Sequence, residues 1–338
     1  MPKTMRAAVM AGFGLPLKLL NLPIPQPGPG EILIKLQASG VCHSDVHVWQ
    51  GDMRPAFDPD PFILGHEGAG IVAALGAGVT DWHIGDRAGA AWIHDTCGTC
   101  DECQSGEESF CQQQRAHGFN VPGTFAEYVV ARADFAARLP DGAATDLAPL
   151  MCAGLTAYGA IGRAGLKSGE CCAIFGCGGL GLYAVQLAAR LGANVIAVDT
   201  DPAKRALATA FGAAETVDPR DLQTGNWPAT QRPHVSINFA PTTATWQPMV
   251  QATRPLGRII AAAMISQEVP LSQEWLAVTG VTLTGTSVGT RAQMAALMQL
   301  HAVRPLAAQI NEIRLDQASD ALQSLAQGRA TGRFCIRF

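Results

Sequence analysis

Chemically reactive side chains are concentrated in the stretch Val41–His47, which reads VCHSDVH. Thiolate, imidazole and carboxylate groups are the ligands that zinc binds in proteins. Further along the chain, His66 adds an imidazole and Cys152 adds a second thiol. Three protein ligands, Cys42, His66 and Cys152, leave one position of a tetrahedral zinc ion open, as in catalytic rather than structural sites. The sequence therefore predicts a catalytic metal centre.

A second group of thiols has the spacing Cys97-x2-Cys100-x2-Cys103-x7-Cys111. Four thiolates can complete a tetrahedral zinc site with no open position, which stabilises a loop and does no chemistry. An iron–sulfur cluster also takes four thiolates at short spacings, so the presence of a metal is better determined than its identity. The N-terminal segment lacks the apolar region and cleavage site of a signal peptide, so we expect a cytoplasmic protein whose clustered thiols bind metal.

A nucleotide-binding signature follows the apolar segment 171–175 and opens an Ala/Leu-rich helix. Gly176 permits a tight turn, Gly178 lets a pyrophosphate approach the backbone, and Gly181 lets helix and strand pack closely. The phosphates then lie at the helix N-terminus, where free amide groups and the helix dipole favour negative charge. The residues predicted to bind the dinucleotide here are Gly176, Gly178, Gly179, Leu180 and Gly181.

The choice of cofactor depends on Asp199, the acid that ends the next predicted strand. Its carboxylate accepts hydrogen bonds from the adenosine ribose hydroxyls in such sites and repels a 2′-phosphate. Lys204, which we count among the cofactor-binding residues, and Arg205 lie on the next predicted helix and are the nearby cations that favour NADP. The sequence favours NAD, with NADP as the alternative.

The elements that must position these groups change in character along the chain. Up to residue 92, short strands alternate with Gly- and Pro-containing turns, which is typical of a compact β-barrel-like domain. From Thr156 onwards strands alternate with helices, which predicts a doubly wound parallel sheet. Because 338 residues are too many for one ordinary core, we predict domains 1–153 and 154–287, with 288–338 returning to the first. The predicted strands of the second domain are 171–175, 194–198, 235–239, 259–264 and 281–287.

The charge and hydrophobicity of the sequence indicate which classes of binding partner to expect. The formal net charge is −4 and the chain has no basic block, which gives no electrostatic reason to expect nucleic acid. No run of about 18 uncharged apolar residues is present, so we expect no membrane-spanning helix. A small-molecule substrate remains as the expected partner.

Five segments occur in an order that resembles the zinc-dependent alcohol dehydrogenases of the medium-chain dehydrogenase/reductase superfamily, especially the propanol-preferring and yeast-type branch. The resemblance covers essentially the whole chain. It implies an α/β protein with a GroES-like β-barrel catalytic domain plus a Rossmann doubly wound nucleotide-binding domain. It also implies one catalytic and one structural zinc per chain, reversible oxidation of primary and secondary alcohols with NAD, and a homotetramer, with a dimer as the alternative. The segments are Gly40–Asp45, Gly65–Gly68, the four-cysteine cluster, Leu150–Gly154 and the glycine loop.

The resemblance assigns roles to residues around the predicted catalytic zinc. Asp45 orients the ring of His66, and Glu67 is a carboxylate near the metal. Ser44 is the hydroxyl that bonds the substrate oxygen, and His47 is the end of a proton relay to solvent. Ser44 and Asp45 are also residue types that cap helices, and this structural alternative stays open.

Further roles follow for the cofactor and the substrate. His43 stands where some relatives carry an arginine against the pyrophosphate, and Arg333 corresponds to a residue that reaches the cofactor phosphates. Trp49, Met53 and Trp92 are expected to line the substrate pocket. Because Met53 replaces a tryptophan of yeast-type enzymes, we expect a roomier pocket that admits secondary or cyclic alcohols.

Competing functions are a zinc-free quinone or enoyl reductase, a polyol dehydrogenase or larger cyclic or aryl alcohol dehydrogenase, and a zinc-ribbon interaction or nucleic-acid module. The first lacks the complete ligand set, and the polyol branch tends to place a glutamate where Cys152 stands. The acidic charge balance disfavours the third. The connection 218–234 does not match the family closely, and we expect a loose segment there.

Overall fold

The computed structural model describes residues 3–56, 58, 60–224, 227 and 231–338, without the side chains of residues 223 and 224. No helix in these ranges is both long and apolar enough to cross a bilayer. The chain divides into two compact units. The first comprises Met1–Leu155, Thr290–Pro305 and Gln309–Phe338, and the second comprises Thr156–Gly289 and Leu306–Ala308.

The domain boundaries predicted from the sequence fall after residues 153 and 287, and the compact units change after residues 155 and 289. One short segment differs from the expectation that everything after residue 288 returns to the first domain, because Leu306–Ala308 belongs to the second unit. The side-chain amide of Gln186 explains this placement. It donates to the carbonyl oxygen of Ala307 at 2.8 Å and accepts from its N–H at 2.9 Å.

The described residues form the following elements. The strands are β1 (Thr4–Val9), β2 (Lys18–Pro23), β3 (Glu31–Gly40), β4 (Gly68–Leu75), β5 (Arg87–Ala90), β6 (Ile93–Asp95), β7 (Arg115–Ala116), β8 (Tyr128–Arg132), β9 (Ala137–Arg138), β10 (Cys171–Phe175), β11 (Asn194–Val198), β12 (Glu215–Val217), β13 (Val235–Asn238), β14 (Arg258–Ala261), β15 (Thr282–Gly285), β16 (Ile310–Ile313) and β17 (Arg333–Arg337). The helices are α1 (His43–Gln50), α2 (Asp101–Gln104), α3 (Ala144–Leu147), α4 (Ala153–Arg163), α5 (Gly181–Arg190), α6 (Pro202–Ala210), α7 (Trp246–Ala252), α8 (Gln273–Thr279), α9 (Arg291–Val303) and α10 (Ala318–Ala326).

Strand β3 is the centre of the first unit. It pairs antiparallel with β4 and β8, and its C-terminal end pairs with β17. Ile32, Ile34 and Leu36 belong to one buried cluster, whereas Leu33 belongs to another. Both faces of the strand are therefore covered at residues 32–34, whereas Lys35 and Gln37 are exposed, which explains why its sequence lacks a clean alternation of apolar and polar residues. The strand leads directly into the segment that begins with Cys42.

The second unit is built on a parallel sheet with the strand order β12-β11-β10-β13-β14-β15 in the described part of the chain. All five residues of β10 are buried, as expected for a central strand covered by helices on both faces. The chain passes from β10 to β11 on one side and later to β13 on the other. The loop after β10 therefore lies at the point where the strand order reverses, which is where such sheets bind ligands.

The predicted α/β class with a doubly wound parallel sheet is confirmed. Helix α7 is preceded directly by a 3₁₀ turn, Thr243–Thr245. The predicted loose connection 218–234 contains a 3₁₀ helix, Pro219–Thr224. Residues 225, 226 and 228–230 of that connection lie outside the described residues, as do the first two residues of the N-terminal segment.

A pair of adjacent substitutions tests the central role of β3. Ile34→Ala removes a side chain with 0% exposure and is expected to lower the free energy of unfolding by about 2–5 kcal/mol. Lys35→Ala, on the exposed side of the same strand, is the matched control and should change it by less than about 0.5 kcal/mol. Urea denaturation of the two variants beside the wild type gives both values. Equal effects would contradict this placement of the core.

Candidate active site and metal centres

Four potential metal ligands meet in the first unit: Cys42, His66, Glu67 and Cys152. All four are buried, and their ligand atoms lie within 4.8 Å of one another. The Sγ atoms of Cys42 and Cys152 are 4.0 Å apart. His66 Nε2 is buried and has no hydrogen-bond partner among the described residues. An orphaned imidazole nitrogen beside two thiols is costly unless a metal ion binds it, and two thiolates with one imidazole suit zinc.

The carboxylate of Asp45 fixes the orientation of this cluster. Its Oδ1 accepts from His66 Nδ1 at 2.9 Å and from the N–H of Gly65 at 3.1 Å, and its Oδ2 accepts from the N–H of Cys42 at 2.8 Å. Because an ionised carboxylate only accepts hydrogen bonds, Nδ1 carries the hydrogen of the ring. In the neutral ring, Nε2 then carries the lone pair and faces the two thiols, as in metal-ligating histidines.

Asp45 makes contacts that agree with both roles predicted for it. Its carboxylate accepts from the ring of His66, and it also accepts from the N–H of the N-cap residue of α1. That N-cap residue is Cys42 and not Ser44. The helix start and the first metal ligand are thus the same residue, so the N-terminus of α1 sets the position of the thiol.

The two thiols of the cluster shift each other's pKa in opposite directions. The hydrogen bond from Cys152 lowers the pKa of Cys42 well below its usual value, although burial opposes this. The same contact, together with burial, raises the pKa of Cys152 well above its usual value. A divalent cation between the sulfurs would stabilise both thiolates at once.

Glu67 has a counter-ion from a distant part of the chain. Its Oε2 contacts Nη2 of Arg333, which lies on β17, and its Oε1 accepts from the N–H of Ala153 at 3.3 Å. Both side chains are buried, with 0% and 5% exposure. Burial raises the pKa of Glu67 to about 7, and the charge of Arg333 limits that rise. The contact of Arg333 with cofactor phosphates stays a prediction.

Helix α1 carries the residues expected to handle protons. Ser44 Oγ lies 3.9 Å from Cys42 Sγ, next to the metal cluster. The rings of His43 and His47 are one turn apart and meet edge to face, with centroids 5.0 Å apart. Burial and the neighbouring His47 lower the pKa of His43. His47 Nδ1 also lies 3.2 Å from Oδ2 of Asp52, a residue that sequence reasoning did not single out.

Two aromatic rings form a wall beside the metal cluster. Trp92 meets the ring of His66 edge on at 4.9 Å, and Phe119 stacks on Trp92 at 5.9 Å. Phe119 was missed because it lies between β7 and β8 outside any motif. Trp49 donates from Nε1 to the carbonyl oxygen of Leu15 at 2.7 Å and, like Met53, packs against a core cluster.

The four-cysteine cluster also comes together. The ligand atoms of Cys97, Cys100, Cys103 and Cys111 lie within 4.8 Å of one another. Cys97 Sγ is 3.9 Å from Cys103 Sγ and 3.6 Å from Cys111 Sγ. Four sulfurs in such a compact arrangement can enclose one metal ion and leave no coordination position for a substrate.

The glycine loop of the second unit has the conformation that its residues require. Gly176 has φ +90°, and a Cβ there would lie 2.7 Å from the backbone nitrogen of Ala240. A Cβ on Gly178 would meet no atom within 4 Å, so this glycine borders open space. Gly179 and Leu180 follow, and α5 begins at Gly181. This open space at a helix N-terminus fits the phosphates of a dinucleotide.

Asp199 is joined to this loop. Its Oδ2 accepts from the N–H of Cys177 at 2.7 Å, and its Oδ1 accepts from the N–H of Asp201 at 2.9 Å. Arg205 Nη1 donates to the carbonyl oxygen of Asp199 at 2.6 Å and to Oδ2 of Asp218 at 3.1 Å. Lys204 makes no hydrogen bond or ion pair with the residues that the structure describes. Of the two cations that favour NADP, one is therefore already neutralised.

The parallel sheet with its glycine loop and the buried Cys–His–Cys cluster define a metal-dependent dehydrogenase. Residues 28–141 match the alcohol dehydrogenase GroES-like domain family, and residues 179–302 match the zinc-binding dehydrogenase family. An alcohol dehydrogenase of Moraxella sp. (strain TAE123) is 36% identical over 337 residues, which is 99% of each chain.

Two solved structures are similar over their whole length. Acetophenone reductase from Geotrichum candidum NBRC 4597, in complex with NAD, is 30% identical with a TM-score of 0.88 and covers 100% of this chain and 98% of its own. A cobalt- and zinc-bound thermostable alcohol dehydrogenase from Pyrobaculum aerophilum is 29% identical with a TM-score of 0.90, covering 99% and 100%. The chain belongs to the zinc-dependent alcohol dehydrogenases of the medium-chain dehydrogenase/reductase superfamily. The expected GroES-like and Rossmann architecture is confirmed, and the relatives from Moraxella and Pyrobaculum aerophilum are both named alcohol dehydrogenases.

The role of Asp45 predicts the effect of its substitution. Asp45→Asn removes the negative charge and turns one of the two accepting oxygens into an NH₂ donor, so contacts to His66 or to Cys42 are lost. The affinity of the Cys42 cluster for zinc should therefore fall about 10- to 100-fold. Competition with a chromophoric chelator measures this affinity directly, without any assay of activity. Zinc at the four-cysteine cluster of the same molecules serves as the internal control and should be retained. An unchanged affinity at the Cys42 cluster would contradict the orienting role.

Proposed function

We propose that the protein catalyses the reversible oxidation of primary and secondary alcohols to aldehydes and ketones, with hydride transfer to NAD. The observation that carries the proposal is the buried set of Cys42, His66 and Cys152, in which Asp45 turns the free lone pair of His66 toward two thiols. Zinc held by these three residues supplies a Lewis acid that acidifies an alcohol.

The residues of α1 then handle the proton of the substrate hydroxyl. Ser44, beside Cys42, accepts it at Oγ, passes its own hydroxyl hydrogen on toward the end of the relay at His47, and holds the substrate oxygen in place. His47, further along the helix and 20% exposed, delivers it to solvent. Glu67 and Arg333 form a buried ion pair that balances the charge near the thiolates. The Trp92–Phe119 wall excludes water and orients an apolar substrate.

The second unit supports NAD as the cofactor. Gly178 borders open space, and Asp199 presents a carboxylate that is held at the loop by two backbone N–H groups. Lys204 and His43 stay predicted contacts of the cofactor. The complex of the acetophenone reductase with NAD supports the same choice.

Two zinc ions per chain are the proposed metal content. The Cys42 cluster takes the catalytic ion, and the cluster of Cys97, Cys100, Cys103 and Cys111 takes the structural one. The metal-bound relative from Pyrobaculum aerophilum agrees with metal binding in this fold.

Aryl and cyclic alcohols are a specific second candidate for the substrate class. The similarity to an acetophenone reductase favours it, and so does the aromatic wall beside His66. Trp49 and Met53 complete the proposed pocket, with the smaller Met53 giving room for secondary alcohols. The propanol-preferring and yeast-type branch remains our proposal for the subfamily.

The assembly and location are further parts of the proposal. Strand β15 is the last strand in the order of the parallel sheet among the described residues, and its Leu283 is 36% exposed. Leu256, in the loop before β14, and Val278, on α8, are 79% and 80% exposed. An edge strand with an exposed apolar side chain favours pairing with a second copy, consistent with a homotetramer. None of the ten cysteines, all within the described ranges, is in a disulfide, which supports a cytoplasmic location.

Metal removal tests the activity. Formation of reduced nicotinamide is followed by absorbance with NAD and 1-propanol, 2-propanol, cyclohexanol, benzyl alcohol or 1-phenylethanol. Stripping the metal should lower the rate more than about 100-fold, and added zinc should restore it while magnesium does not. The order of rates separates simple from aryl alcohols. Turnover that survives complete stripping would rule out the proposed chemistry.

A substitution at Asp199 tests cofactor selection. Asp199→Ala removes the charge that repels a 2′-phosphate and the acceptor that bonds the ribose, so the ratio of kcat/KM for NAD to that for NADP should fall at least about 10-fold. Asp201→Asn is the matched control, because Asp201 caps α6 by accepting from Ala203. It should leave the ratio within about 2-fold of the wild type. A ratio that is unchanged in Asp199→Ala would remove Asp199 from cofactor recognition.

A further inference from the structure

The loop after α1 places an acidic side chain in contact with the helix. Helix α1 ends at Gln50, and Gly51 has φ +83°, a left-handed conformation that reverses the chain. Asp52 follows, and its Oδ2 lies 3.2 Å from Nδ1 of His47. The acid therefore faces the histidine that ends the proposed proton path.

Several contacts hold this turn in one conformation. The N–H of Gly51 donates to the carbonyl oxygen of Val48 at 3.1 Å, and the N–H of Met53 donates to that of His47 at 3.2 Å. Arg54 Nε donates to the carbonyl oxygen of Gly51 at 3.0 Å, and its guanidinium lies 4.3 Å from the ring centroid of Phe13. The backbone hydrogen bonds of Gly51 and Met53, on either side of Asp52, thus hold the Cα atom of Asp52 in place beside His47.

The hydrogen between the two side chains has one consistent location. The carboxylate of Asp52, when ionised, offers acceptors only, so His47 must carry its hydrogen on Nδ1. Nε2 is then the basic nitrogen of the neutral ring. A carboxylate bonded to one imidazole nitrogen fixes the tautomer and orientation in this way wherever the other nitrogen acts as a base.

We propose that Asp52 is a positioning residue of the alcohol dehydrogenase reaction, holding His47 with Nε2 free to take up the proton that the substrate releases. This inference rests on the proposed function. Nε2 gains one proton as each alcohol is oxidised, Nδ1 keeps its hydrogen, and Asp52 stays ionised beside the imidazolium. Nε2 then gives the proton to water, which restores the starting state.

Among the residues that the structure describes, few other charged side chains near His47 could hold its ring in this orientation. His43 faces it from the same helix, with ring centroids 5.0 Å apart. In the following loop, Asp52 and Arg54 are the neighbouring charged residues, and the guanidinium of Arg54 is directed to Phe13. Helix α10 packs against α1 and carries one acid, Asp320, which is exposed. Asp52 is the one carboxylate among these with a described hydrogen bond to His47.

The test combines Asp52→Asn, His47→Gln and the double variant in the zinc-loaded enzyme with NAD and 2-propanol. The rate constant of reduced nicotinamide formation in a single turnover isolates the chemical step from product release. Asp52→Asn should lower it about 3- to 10-fold at pH 7, a modest effect because the Asp52 side chain is 55% exposed. The pH profile of this rate constant is recorded for each variant beside the wild type.

The double variant separates positioning from a general effect. If Asp52 acts through His47, adding Asp52→Asn to His47→Gln should change the rate constant less than about 1.5-fold. Asp58→Asn is the matched control, because Asp58 is an exposed acid a few residues further along the chain, and it should leave both the rate and the pH profile unchanged.

Three results would overturn the inference. A wild-type rate and pH profile in Asp52→Asn would show that Asp52 is not needed, and an equal loss in the His47→Gln background would show that it acts elsewhere. A change confined to KM would assign it to binding. If the wild type itself forms no reduced nicotinamide with any alcohol, the proposed function fails and this inference fails with it.

Discussion

The arrangement of the side chains around Cys42 that can bind a metal depends on the hydrogen bonds to the carboxylate of Asp45. Asp45 is 1% exposed and accepts three hydrogen bonds, from the start of α1, from the loop before β4 and from the ring of His66. A buried carboxylate that loses its partners is strongly destabilising, so the three segments must come together for any of them to be stable. The position of Cys42 and the tautomer of His66 are therefore set by one side chain.

The second unit uses an acid in a comparable way. Asp199 accepts from the backbone N–H groups of Cys177 and Asp201 and thereby ties the glycine loop to the turn after β11. In both units a residue of expected chemical function also stabilises the backbone that carries the site. Activity and local folding are consequently coupled at these positions, and substitutions there need a measurement other than turnover.

The parts of the site that sequence reasoning located are those with local signatures. The spacing of Cys97 to Cys111 and the glycine loop each fit within a short stretch, and the turn geometry follows from residue type. Contacts between distant segments carry no such signal. Arg333 reaches Glu67 across 266 positions, and Phe119 stacks on Trp92 from a loop without a motif. Asp52 was missed because only the reversal at Gly51 brings it back to His47.

The ion pair between Glu67 and Arg333 can form only late in the synthesis of the chain. Glu67 leaves the ribosome 266 residues before its counter-ion, a delay on the order of tens of seconds during translation. Strand β17, which brings Arg333, also pairs with β3 through Cys335 and Gly40. The nascent chain thus contains every thiol and imidazole of the metal cluster well before it contains the cation that balances its acid. The carboxylate of Glu67 therefore gains its counter-ion late in synthesis, although the thiols and the imidazole beside it are made earlier.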